Sequence, residues 1–226
     1  RNRACMRTAI LMVFVCTVSL HAQNIHTTVP DDVDADKFYL FYIHDSMLSP
    51  RDLHPSHPQY GIYAYEEIIN RFATEGFTVI SYPYLFAREI AEEIGSLLSA
   101  GVPPSHVSIV GAGNGGPITV LISIAVRNPD INVILLSSCT EAYNEYWVTQ
   151  GELMWGHALS IHHPAAAGTA PCMPWLDHCR GEGVPLAREI ILEEQSSPGF
   201  WLQPTTDWVL PAILWASGKH ELVGGK

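Results

Sequence analysis

The sequence predicts an α/β fold: one domain built on a mainly parallel sheet flanked by helices. Short apolar runs without polar alternation, such as Phe38-Tyr39-Leu40-Phe41-Tyr42-Ile43, suit strands buried on both faces. Segments of helical spacing lie between them, and that alternation implies parallel pairing. The chain has 226 residues, of which 47% are hydrophobic and 15% charged, enough to bury one large core.

The elements follow in order. Residues 38–43 form the first buried strand, and residues 45–61 are a loop rich in Pro, His and Ser. Residues 63–73 have helical spacing and stop at Glu75-Gly76, since glycine ends helices readily. A second strand spans 77–81, and a second helix spans 87–100 before Gly101 and Pro103-Pro104. The third strand is 107–110. The third helix is 117–127, with Pro117 in its first turn, where a missing N–H costs nothing. The fourth strand is 131–136. Residues 140–156 are rich in Tyr and Trp without a clear period. Residues 158–161 and 189–192 read as further strands, and 207–216 as a closing helix despite Pro211. No internal repeat or interdomain linker interrupts the pattern.

The N-terminus predicts a secretory signal peptide over residues 1–22. Arg3 and Arg7 flank Met6, read here as the start, and a run of about a dozen apolar residues ends at His21-Ala22. That run is too short for a comfortable membrane span. Residues 23–36 form an acidic leader, 37–217 the domain and 218–226 a C-terminal tail. Location is therefore expected to be secreted or periplasmic. Removing 1–22 moves the formal charge from −11 to −14, with 9 basic against 23 acidic residues. Such a charge disfavours nucleic acid and anionic membranes as partners. Cys139, Cys172 and Cys179 remain, allowing one disulfide and one leftover thiol. The sequence does not choose the pair; Cys139 with Cys172 is preferred.

Residues 111–116 read Gly-Ala-Gly-Asn-Gly-Gly between a strand and a helix. That is the setting of a nucleophile elbow, G-x-S-x-G, with Gly113 where the serine belongs. The same turn also satisfies G-x-G-x-x-G through Gly111, Gly113 and Gly116, so a nucleotide-binding turn is an alternative. It follows the third strand rather than the first, however. The acid expected after the next strand is replaced by Ser137-Ser138-Cys139.

Several blocks in order resemble a small bacterial branch of the α/β-hydrolase fold. They are Ile43-His44, His57-Pro58-Gln59-Tyr60-Gly61-Ile62-Tyr63-Ala64-Tyr65, Gly101-Val102-Pro103-Pro104, the glycine turn, Leu159-Ser160-Ile161, Cys172-Met173-Pro174, Arg188-Glu189-Ile190-Ile191-Leu192 and Trp208-Val209-Leu210-Pro211. They run from about Tyr39 to Trp215. The resemblance implies an α/β-hydrolase-like domain, and it also locates departures. A Ser nucleophile needs a His base oriented by an acid, and backbone donors for the oxyanion. The matching positions here are Gly113 for the nucleophile, Ala166 for the acid and Pro198 for the histidine. The Lys beside the nucleophile is Asn114, and the Gly after the first-strand His is Asp45. Four functional positions, Gly113, Ala166, Pro198 and Asp45, have changed together, which implies a catalytically degenerate, serine-hydrolase-like relative acting by ligand or protein binding.

The competing expectation is an active ester hydrolase with a displaced nucleophile at Ser137, Ser138 or Cys139, since α/β sites gather at strand C-terminal ends. Pocket-lining residues are expected to be His44, Asp45, Asn114 and Gly115, and the ligand small and apolar or ester-like. No cofactor and no metal are expected. His162-His163 and His178-Cys179 lack a zinc spacing, and the loop histidines His54, His57, His162, His163 and His178 read as surface residues. The acidic run at 31–36 lacks the glycine and terminal Glu of a calcium loop. Tyr143, Tyr146, Trp147 and Trp155 read as a cap or core filler rather than a sugar platform.

Overall fold

The computed structural model describes residues 24–82 and 86–224. The signal-peptide expectation lies outside the described residues. Among those described, the strands are β1 (Ile25–His26), β2 (Tyr39–Ile43), β3 (Ser56–His57), β4 (Gly61–Ile62), β5 (Thr78–Ile80), β6 (Val107–Ala112), β7 (Asn132–Leu136), β8 (His157–His162) and β9 (Ala187–Ile191). The α-helices are α1 (Tyr65–Thr74), α2 (Ala87–Ser99), α3 (Gly115–Val126), α4 (Glu141–Gln150), α5 (Met173–Cys179) and α6 (Thr206–Ala216). Seven strands form one sheet in the order β1-β5-β2-β6-β7-β8-β9, with every pairing parallel. β3 and β4 form a small antiparallel hairpin within the 45–61 loop segment and just beyond it.

Two apolar layers sandwich the sheet, and the pleat of β2 shows how. Leu40 and Tyr42 face a core filled by Ile68 and Phe72 of α1 and Trp208 and Trp215 of α6. Tyr39, Phe41 and Ile43 face the opposite core, filled by Ile90, Ile94 and Leu97 of α2, Val120 and Ile122 of α3, and Trp175 of α5. A strand covered on both sides has no room for polar alternation, which is why these strands were visible as unbroken apolar runs.

The structure adds three features to the sequence expectation. Ile25 and His26 of the acidic leader pair with Val79 and Ile80 at the sheet edge. The tail also docks: the Arg188 guanidinium donates to the His220 carbonyl at 2.7 Å and to that of Val223. Residues 141–150 are helical although they lack a period. Only Asn144 is fully buried there, while Tyr143 and Tyr146 are exposed, so no apolar stripe marks the helix. Its ends are set by caps. The Tyr143 N–H donates to Thr140 Oγ1 at 3.0 Å, and Gly151 ends the helix at φ 67°.

Strand order also places the site. The chain steps from β2 outward to β5, then returns to lay β6 on the other side of β2. Open parallel sheets bind ligands at such a reversal, beyond the strands' C-terminal ends. Ile43 stands level with Gly111 in register, so Asp45 and Gly113 leave β2 and β6 side by side.

Candidate functional site

At the end of β6 the chain turns through Gly113 at φ +51°, a left-handed conformation that side-chain-bearing residues adopt only at a cost. Asn114 follows, and α3 begins at Gly115. A Cβ at Gly115 would overlap the Ile43 carbonyl and sit 2.7 Å from that of His44, so the helix start packs directly on the β2 backbone. This is the geometry of a strand–turn–helix elbow.

The Asp45 carboxylate fills the space in front of the elbow. Oδ2 accepts a 2.7 Å hydrogen bond from the Asn114 N–H, and Oδ1 accepts a 2.8 Å hydrogen bond from the Met47 N–H. One donor follows the elbow position and the other lies in the loop after β2. In an acyl-transfer enzyme of this architecture, N–H groups in those two places hold the oxyanion. Here an internal carboxylate takes both. A Cβ built on Gly113 would overlap Asp45 Oδ2 and lie 3.2 Å from Cζ2 of Trp201.

A cavity of about 320 Å³ opens over this arrangement. Its wall includes Asp45, Gly113 and Asn114, with Ser137 and Ser138 from the end of β7, Ala166 from the loop after β8, and Pro198 and Trp201 from the segment before α6. The structure thus brings Gly113, Ala166 and Pro198 onto one cavity. Tyr143, expected as cap or core filler, lines the cavity, and lining residues that sequence reasoning missed include Met47 and Tyr60, from an aperiodic segment. Two hydrogen bonds tie the segment before α6 to residues 62–64. The Ala64 N–H donates to the Leu202 carbonyl at 2.8 Å, and Gln203 Nε2 donates to the Ile62 carbonyl at 2.7 Å.

Several expected site residues stand elsewhere. His44 is 2% exposed and does not line the cavity. Its ring nitrogens lie 2.8 Å from the Asp45 carbonyl and 3.1 Å from the Tyr82 carbonyl, which turn the imidazole into the core. Gly115 is likewise buried under the β2 end and does not line this cavity. Cys139 is joined to Cys172 in a disulfide, so it holds no free thiolate and is removed as a nucleophile; the preferred pairing is the observed one. His162 and His163 are buried rather than on the surface, because β8 runs to residue 162 and carries both into the sheet end. Burial lowers the His162 pKa, opposed by the nearby Glu189 carboxylate.

The two serines differ. Ser138 Oγ sits 3.1 Å from both the Gly111 and Leu136 carbonyls, which hold its proton as a donor. Ser137 has φ +49°, and its Oγ is buried with no hydrogen-bond partner. The Tyr42 and Tyr63 hydroxyls are 3.0 Å apart in the core, and burial raises both pKa values, with the Asp45 charge acting in the same direction. Among the described residues no cluster of three His, Cys, Asp or Glu side chains is arranged to hold a metal ion.

No protein-family model and no curated protein matches the sequence. Solved structures do match in three dimensions. SOBER1 from Arabidopsis thaliana is 13% identical, with a TM-score of 0.52 over 81% of this chain and 99% of that one. The esterase domain of a Rhodothermus marinus protein is 16% identical, with a TM-score of 0.52 over 87% and 91%. A sugar hydrolase, YeeB, from Lactococcus lactis is 13% identical, with a TM-score of 0.51 over 87% and 94%. At such identities the likeness speaks for architecture. Taken with the parallel sheet, the reversal between β2 and β6, and the glycine elbow after β6, it identifies the fold of this chain as that of the α/β-hydrolases.

Proposed function

We propose that this chain is a catalytically silent α/β-hydrolase-fold protein whose cavity binds a small ligand. One observation carries the reading: Asp45 occupies both backbone donors that an oxyanion would need, in front of an elbow residue without a side chain. An acyl-transfer transition state develops negative charge at that point. A carboxylate already there repels it. The cavity wall at Ala166 and Pro198 offers neither an acid nor a base. The solved esterase domain and sugar hydrolase of similar fold supply the architectural comparison for this loss. The phosphate-loop alternative is disfavoured by the same carboxylate, which takes the first N–H at the α3 start and would repel a pyrophosphate. Secretion is part of the proposal, supported by the disulfide and the apolar N-terminal run.

The test is a fluorophosphonate probe combined with p-nitrophenyl ester turnover on the purified chain. The expected result is neither labelling nor turnover above background. Covalent labelling of a residue whose mutation abolishes turnover would sink the proposal. One residue supports the active alternative: Ser137, strained and unpartnered beside the cavity. Ser137→Ala is therefore the variant to run with any activity found.

A further inference from the structure

We infer that the ligand of this cavity is a small organic cation, with a primary ammonium group that pairs with Asp45. The inference rests on the ligand-binding reading above and assigns its chemistry. Among the described residues Asp45 is the only acid lining the cavity, no Lys or Arg lines it, and His57 is the one basic side chain in its wall. The side chain is 2% exposed, and among the described residues no ion pair reaches it. Two backbone N–H groups stabilise the carboxylate but carry no full charge, so a buried formal charge is left without a counterion.

The rest of the wall suits the body of such a ligand. Tyr60, Tyr143 and Trp201 present aromatic rings, and cations are attracted to ring faces. His57 stacks on Tyr60 with ring centroids 4.5 Å apart, which firms one side of the mouth. The volume of about 320 Å³ lies at the small end of ligand sites, matching an amine of roughly ten heavy atoms. The formal charge of −11 draws cations toward the molecule as a whole.

The chemistry follows from the elbow itself. Where an acyl-transfer enzyme points two N–H donors at a ligand oxygen, this chain points a carboxylate oxygen. The preference of the position is reversed: it rejects an acyl oxyanion and accepts a positively charged donor. An ammonium N–H to Asp45 Oδ2 makes a charge-assisted hydrogen bond shielded from water, the strong kind.

The experiment is titration calorimetry with three probes of one shape: benzylamine, benzyl alcohol and benzoate. Benzylamine is expected to bind, with affinity falling as salt is raised, and the other two to bind at least about tenfold more weakly. Asp45→Asn should weaken benzylamine by about 10- to 100-fold, the worth of one hydrogen bond to a charged group. Asp45→Gly frees the Met47 and Asn114 N–H groups, so its preference should turn toward benzoate. Melting curves of both variants establish that they fold, and Tyr143→Leu, at an exposed wall position, provides a further variant that should lose about two- to fivefold. If benzyl alcohol or benzoate binds the unmodified chain as tightly as benzylamine, the charge assignment is overturned while ligand binding stands. If benzylamine binds Asp45→Asn undiminished, the assignment to Asp45 fails. If none of the three binds, the ligand-binding reading fails, and this inference with it.

Discussion

Asp45 Oδ2 lies 2.7 Å from the backbone nitrogen of Asn114, so the donor next to the elbow is saturated from within the chain. The partner oxygen of the same carboxylate holds the Met47 N–H at 2.8 Å. An aspartate one residue beyond His44 therefore occupies, in one side chain, an N–H after β2 and the N–H after the elbow glycine.

Restoring a serine at the elbow should not restore chemistry. In Gly113→Ser the new Cβ collides with Asp45 Oδ2 and crowds Trp201, in a left-handed backbone that serine tolerates poorly. The expected result is a loss of about 1–3 kcal/mol in urea unfolding and no p-nitrophenyl acetate turnover. Adding Asp45→Gly should recover part of the stability. Turnover by the single variant would show that a base and an acid converge on residue 113 after all.

The disulfide should contribute measurably to stability. Cys139–Cys172 closes a loop with a sequence separation of 33 and ties the end of β7 to the start of α5. The Cys139→Ala, Cys172→Ala double variant is expected to lose about 2–4 kcal/mol. Equal unfolding midpoints with and without reductant would contradict this. Among the described residues the free thiol is Cys179, which is buried, and burial pushes it up to about 11, so it should react with thiol reagents only on unfolding.

Glu189 should be a sensitive core position. It is 5% exposed, and its Oε1 accepts hydrogen bonds from Ser160 Oγ at 2.8 Å and from the Cys172 N–H at 2.7 Å. Glu189→Ala strands two buried donors and should cost about 2–4 kcal/mol in urea unfolding. Glu189→Gln keeps an acceptor oxygen and should cost less; equal losses from the two variants would argue that volume, not hydrogen bonding, matters there.

Stability should fall on mild acidification. Burial lowers the pKa of His157, His162 and His220, and the His157 and His220 rings are 4.6 Å apart. A histidine depressed in the folded state binds fewer protons folded than unfolded below its ordinary value of about 6.5. Its stabilising effect is thus complete above that pH and lost as pH drops through it. Melting temperature should decline from pH 7 to 5, and His157→Gln with His220→Gln should flatten the slope. A melting temperature constant over that window would refute the assignment.

Much of this was legible along the chain. The unbroken apolar run at 39–43 marked a strand covered on both faces, because burial on two sides removes the need for polar alternation. The Gly-rich turn was legible because strand, turn and helix follow one another locally. Helix α4 was not legible, since it buries almost nothing and leaves no stripe. The environment of Ser137 and of His44 was equally hidden, because it depends on chain ends that meet only in the sheet.

The sequence by itself determined the class of fold, the position of the elbow and the absence of a side chain at Gly113, since these follow from local periodicity and residue identity. The family resemblance already put the Asp45 carboxylate near the oxyanion hole; only the tertiary structure decided which N–H groups it binds. Asp45 and Asn114 are separated by 69 residues, and nothing local to either names that N–H as the partner of the carboxylate. The meeting is made by the parallel pairing of β2 with β6, which delivers both ends to the same edge of the sheet.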